Sequence, residues 1–164
     1  MSTPVDEEFL QDYAQRWLAA WNSHDTERLL EILHPEIEWE DLVFWPEVIH
    51  GHADMRTYID KIWEVMPDVH FEDVQVFTAP AAGRALCLFR QSGHGPKGPA
   101  ADQTFSTYGC DIFLEFRDGR LKRYLAQYEI SEMMRQLGML PARDGRVGGA
   151  YLMSLLGRGQ ATRA

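Results

Sequence analysis

The chain has 164 residues, 45% of them hydrophobic, and a formal net charge of −9. That is one domain with enough apolar material for a substantial core. The acidic balance argues against nucleic acid or an anionic membrane surface as a partner, since both are polyanions.

The first predicted helix runs from about Asp6 to Asn22. Phe9, Tyr13, Trp17 and Trp21 recur at every fourth position, with Leu10, Ala14 and Leu18 beside them, a wide apolar stripe at helical period. The segment SHD interrupts it, and Asp25 or Ser23 is placed to cap a second helix. That helix carries Leu29, Leu30, Ile32 and Leu33 and stops before Pro35. A strand is expected from about Glu36 to Phe44. Side chains alternate along a strand, so Ile37, Trp39, Asp41 and Val43 share one face and Glu36, Glu38 and Glu40 the other. An acid set among Ile, Trp and Val has lost much of its water and its ionised form is costly. Asp41 is therefore a candidate catalytic group.

Residues 45 to 52 read as a loop. A third helix is predicted from about Ala53 to Met66, with Met55, Tyr58, Ile59, Ile62, Trp63 and Met66 on one side and Pro67 ending it. Thereafter the period changes to two. Strands are expected at about 69–78, 84–93, 103–117 and 120–130, separated by turn signals at PAAG, GHGPKGP and RDG. A short helix from about Ser131 to Leu137 closes at Gly138. The order ααβαββββ is an α+β pattern. Residues 139–164 form a C-terminal extension, whose segment AYLMSLL must bury its apolar residues over a pocket mouth or on another subunit.

Cys87 and Cys110 sit in apolar strand-like runs without metal or redox spacing, and are expected as buried thiols, neighbours on adjacent strands if the register allows. No apolar run is long enough to span a membrane, and MSTPVDEEF lacks the basic and apolar regions of a signal peptide. The cytoplasm is the expected location.

The segment QRWLAAWNSHDTERLLEILHPEIEWED, residues 15–41, resembles the opening of the ketosteroid isomerases. HGHADMRTYI resembles their entry into the third helix, and CDIFLEFRDGRLKRYLAQYE their paired C-terminal strands. RQLG at 135–138 is similar to a frequent ending of SnoaL-like polyketide cyclases. The resemblance, from about Glu7 to Gly138, is to the nuclear transport factor 2-like superfamily. It implies a cone-shaped curved antiparallel sheet wrapped around helices that enclose a pocket. It implies Asp41 as general base and Asp111 as the protonated acid that donates to a developing oxyanion, the division of labour that makes the isomerase a standard example of pKa tuning. Where those isomerases carry a second donor, a Tyr, this chain has Trp17, whose indole N–H donates but cannot transfer a proton.

His94, in SGHG, resembles a GTHxG region of the cyclases and has the chemistry of a proton shuttle. Arg90 shares a strand face with Leu86 and Leu88, and an Arg there calls for an anionic partner, a pocket acid or a ligand carboxylate. The expected catalytic set is Asp41, Asp111 and His94. Trp17, Trp21, Tyr58, Trp63, Arg90 and Tyr128 are expected to bind substrate, with no metal and no cofactor. The expectation is an acid/base isomerase, cyclase or dehydratase acting on a hydrophobic polyketide-, steroid- or terpenoid-like carbonyl compound. The alternative is a non-catalytic binding or dimerisation module. A homodimer is expected under either reading, with Cys110, Ile112, Leu114 and Phe116 as one candidate interface row.

Overall fold

Asp6 starts the first helix: its side chain accepts the Phe9 N–H at 2.9 Å, satisfying a donor that has no partner within the helix. The computed structural model describes residues 5–140. Within them α1 spans Glu7–Asn22, α2 Thr26–Ile32, β1 Leu33–Glu40, β2 Ile49–His50 and α3 Gly51–Val65. Then follow β3 (His70–Ala79), β4 (Arg84–His94), β5 (Thr104–Arg117), β6 (Arg120–Tyr128) and α4 (Ile130–Gln136). The AYLMSLL segment lies outside the described residues.

The strands form one mixed sheet in the order β2-β1-β6-β5-β4-β3. β1 and β6 run parallel, and the other neighbours are antiparallel. Irregularities interrupt the pairing at Glu72/Gln75, at Glu115 and between Leu33 and Glu38. Such bulges bend and twist a sheet, and this one curves around α1 and α3 without closing. Tyr13, Trp17 and Trp21 of α1 and Met55, Tyr58, Ile59 and Ile62 of α3 are buried against it. The result is the α+β cone that the resemblance implies.

Several boundaries differ from expectation, each for a local reason. Asp25 caps α2, accepting the Glu27 and Arg28 N–H groups at 2.9 and 3.3 Å. β1 begins at Leu33, pairing Leu33 with Leu121, rather than after Pro35. It ends at Glu40 because Asp41 opens a turn, its carbonyl accepting the Phe44 and Trp45 N–H groups. The expected loop before α3 contains β2, too short for an alternation to register. Phe116 leaves the expected outer row: the bulge at Glu115 turns it inward against Phe9 and Tyr13. Cys87 and Cys110 are on adjacent strands but on opposite faces, and both are free; only Cys87 is fully buried.

Candidate functional site

Asp41 sits at the end of β1 with no exposed surface. Its Oδ1 accepts the Phe44 N–H at 3.3 Å, and its Oδ2 accepts the Tyr58 hydroxyl from α3. Burial raises its pKa, while the Tyr58 hydroxyl and the Phe44 and Val43 amides pull it down.

Asp111 lies mid-sheet on β5, flanked by Cys87 of β4 and Ala126 of β6, and is 4% exposed. Trp17 Nε1 donates to its Oδ2 at 2.6 Å, and the Tyr124 hydroxyl donates to its Oδ1. The Tyr124 and Tyr128 hydroxyls are 3.0 Å apart, extending the network. Burial pushes the Asp111 carboxyl up to about 7; the Tyr124 and Trp17 hydrogen bonds oppose that, and the charge of Asp41 adds to it. Burial thus favours the protonated form of this carboxyl. Tyr58, Tyr124 and Tyr128 are pushed well above the usual phenol range, chiefly by burial, so they remain donors.

Between the two acids stands Trp39, stacked on Tyr124 at 3.7 Å and packed against Trp17 and Tyr58. Its Nε1 is the one fully buried side-chain polar atom among the described residues without a hydrogen bond. The indole N–H nevertheless faces Tyr58 closely enough to oppose the rise in that phenol's pKa.

Two cavities meet at Asp111. One is lined by Trp21, Phe44, Tyr58, Ile62, Met66, Phe71, Gln91, Asp111 and Tyr128. The other is bounded by Ala14, Trp17, Leu18, Trp21, Phe71, Val74, Cys87, Phe89 and Asp111. Each has a free volume of about 10 Å³, room for about one water. Trp21 and Phe71 border both, so these two rings partition one aromatic chamber. Asn22 fixes the Phe71 backbone from both sides, donating to its carbonyl at 2.9 Å and accepting its N–H at 2.8 Å. Opening the partition therefore falls to the side chains. A larger depression of about 450 Å³ lies apart from the acids, bordered by Pro96, Lys97, Ala100, Leu137 and Met139.

Asp111, Trp17, Trp21, Tyr58 and Tyr128 are thus brought together. Asp41 stands directly behind Tyr58, outside the lining of either cavity. Trp63 packs edge-on to Trp21 but stacks on His24 and donates to Thr26, behind the chamber wall. Arg90 shares a face with Leu86 and Leu88 as expected, but that face is the outer one. There the guanidinium meets Asp73 at 3.4 Å and Tyr108 at 2.7 Å, not a pocket acid. His94 closes β4 at the surface, its ring held 2.6 Å from Asp68 and away from both cavities.

Sequence reasoning did not single out Tyr124, Gln91 or Phe71 for the site. Gln91 was legible: it ends the alternating inward row Ala85, Cys87, Phe89, one residue beyond the conspicuous Arg90.

Residues 14–124 match the SnoaL-like domain. The chain belongs to the SnoaL-like family. Among solved structures it is similar to TsrD from Streptomyces laurentii, at 28% identity and a TM-score of 0.64, over 82% of this chain and 98% of that one. A protein described as a polyketide cyclase from Xanthomonas campestris pv. campestris is 19% identical, with a TM-score of 0.70 over 79% and 97% of the two chains. A protein described as an isomerase from Bacillus subtilis is 17% identical, with a TM-score of 0.68 over 83% and 97%. Likeness at the lower two identities establishes the fold alone. No curated protein matches this SnoaL-like chain. Among its described residues, no helix is long and apolar enough to cross a membrane.

Proposed function

We propose that this SnoaL-like protein is a cofactor-independent acid/base enzyme, an isomerase, cyclase or dehydratase. Its substrate is a hydrophobic carbonyl compound of polyketide, steroid or terpenoid type. The observation that carries this reading is a pair of buried carboxyls in one aromatic core, each tied to a tyrosine hydroxyl, with Asp111 bordering both cavities.

Proton abstraction beside a carbonyl needs a base near the C–H bond and a donor where negative charge develops. Asp41 is the base: burial raises its pKa, which strengthens it as a proton acceptor, and the Tyr58 hydroxyl and the amides of its own turn partly offset that rise. Tyr58 is its cavity-facing end. The substrate carbon gives its proton to the Tyr58 oxygen as the Tyr58 proton passes to Asp41 Oδ2. The C–H electron pair moves toward the carbonyl, and protonated Asp111 donates to the oxygen that gains charge. Trp17, whose N–H is already given to Asp111, holds that carboxyl in place instead of contacting the oxyanion. Return of the proton to another carbon is isomerisation, attack of the enolate on a second carbonyl is cyclisation, and loss of a β-hydroxyl is dehydration.

Deuterium exchange at C1 of 2-tetralone in D₂O, followed by NMR, tests this step. Asp41→Asn should slow the protein-catalysed exchange by about 10²- to 10⁴-fold while leaving the far-UV spectrum unchanged. Exchange at the wild-type rate in that variant would sink the assignment of Asp41.

A second reading is a binding module without chemistry, favoured by the small free volume that the tryptophans leave. It predicts that 2-tetralone binds and does not exchange. Against it, Arg90 is engaged with Asp73 and not with Asp41. We also propose that the protein is a homodimer that associates through the outer sheet face.

A further inference from the structure

Deepening the acid/base reading, and resting on it, we infer that the chamber has a second polar subsite at Gln91. This subsite recognises a neutral hydroxyl or carbonyl at the far end of a two-ring or larger substrate whose reacting carbonyl lies at Asp111.

The inward face of β4 and β5 is a ladder of facing pairs. Cys87 faces Asp111, Phe89 faces Gly109, and Gln91 faces Thr107. Asp111 and Gln91 both border the first cavity, so one apolar chamber has a polar group toward each end. Four residues along a strand separate their rungs by about 13 Å at the backbone. The floor between them is aromatic. A side chain at position 109 would place its Cβ 2.5 Å from the Phe89 ring and 2.7 Å from Tyr128, so glycine there lets both rings lie over the sheet. Phe71, on the neighbouring strand β3 where it pairs with Gln91, meets Phe89 edge-on. Such a floor accepts flat rings once the Trp21 and Phe71 side chains swing aside and join the two small cavities.

Gln91 is 1% exposed, yet its side chain makes a single hydrogen bond among the described residues, a long one from Nε2 to Thr107 Oγ1 at 3.4 Å. Its carbonyl oxygen and second N–H are left for whatever fills the chamber, and a buried amide is costly unless its groups are partnered. Among the described residues, the chamber wall carries no Lys, Arg or His. An anionic end group would meet no countercharge there and would lie in the same apolar space as Asp111. The far group is therefore neutral, and an amide that both donates and accepts suits a hydroxyl or a carbonyl.

Calorimetric titration with 4-phenylphenol and 4,4′-dihydroxybiphenyl tests the subsite. One phenol of each probe stands in for the reacting oxygen at Asp111, and only the second probe carries a distal hydroxyl. Wild-type protein should bind the dihydroxy probe about tenfold more tightly, the yield of one buried neutral hydrogen bond. Gln91→Leu, with Gln91→Met as a second apolar replacement, should bind both probes equally. Asp111→Asn should weaken both probes and keep the difference between them. Equal binding by the wild type, or a difference that survives in both Gln91 variants, overturns the subsite while leaving the role of Asp111 intact. Affinities untouched by Asp111→Asn overturn the acid/base reading on which it rests, and binding of neither probe overturns both.

Discussion

A carboxyl buried among Trp17, Tyr124 and Tyr128 has given up most of the water that stabilises its charge. Asp111 accordingly titrates at about 7 in the folded chain against 3.8 for a free carboxyl. The folded state therefore binds this proton more tightly than the unfolded state. The stability it contributes is fully present below about pH 4 and is lost as pH rises through about 7, roughly a few kcal/mol in all. Glu7, Glu27, Asp68 and Glu132 have lowered pKa values and act in the opposite sense, but they remain ionised above pH 5. Urea unfolding of wild type and Asp111→Asn at pH 5.5 and 8 isolates the Asp111 contribution. The wild type's advantage over the variant should shrink at the higher pH, and a constant gap would contradict the raised pKa. Tyr58→Phe is informative for Asp41. It removes the hydrogen bond that lowers the Asp41 pKa and deletes the hydroxyl between Asp41 and the cavity. The exchange rate should fall by about 10²-fold or more, and the acidic limb of its pH profile, which reports ionisation of the base, should move to higher pH. Asp41 was legible in the sequence because strand alternation puts it in an apolar row. The place of Tyr124 in the site and the outward turn of Arg90 were not, because they depend on which face of β4 and β6 meets the helices.

At the scale of elements, helices were read well because a four-residue aromatic spacing survives any tertiary context. Strand limits were not, because turns and bulges override alternation at Asp41, Glu72 and Glu115. The join of β1 to β6 shows what such an irregularity costs. Between Leu33 and Glu38 the parallel ladder loses its register, and the Glu36 carbonyl has no strand partner there. Lys122, 8% exposed, lies across the gap and donates its ammonium to that carbonyl. Glu36 and Glu38 lie 3.9 and 3.6 Å from its Nζ, which keeps the buried charge paired. Lys122→Met preserves the aliphatic stem but leaves the carbonyl without its donor, while Glu36 and Glu38 keep Arg117 and Arg123. It should lower unfolding stability by about 1–3 kcal/mol, read from urea midpoints. Because the gap lies at the base of β1, the same variant should loosen the turn that presents Asp41, visible as faster amide exchange at Phe44 and Trp45.

At the scale of the molecule, the sheet has an outer face that none of the helices among the described residues covers. Leu86 and Leu88 of β4, Cys110, Ile112 and Leu114 of β5 and Leu125 of β6 lie on it, none of them part of the core. Phe77 of β3 is 55% exposed and Tyr108 of β5 45%. Adjacent strands present them in register, Phe77 beside Leu86 and Leu86 beside Ile112, so the patch is continuous. A single scattered apolar residue needs no partner, but a contiguous four-strand patch does. A second copy fits, because a two-fold axis sets the same surface against itself. The net charge of −9 on each chain opposes the pairing. That repulsion is long-ranged and screened at physiological salt, whereas apolar contact is not. Two outcomes follow for sedimentation of the 18.9 kDa chain. The wild type should run as a dimer whose affinity rises between roughly 20 and 300 mM salt, over which the Debye length contracts. Leu88→Lys, which puts a like charge at the same place on both copies, should run as a monomer with the deuterium exchange of 2-tetralone preserved. A wild-type chain that stays monomeric at high salt would remove the outer face as an interface, and would leave the chamber chemistry to be judged on one subunit alone.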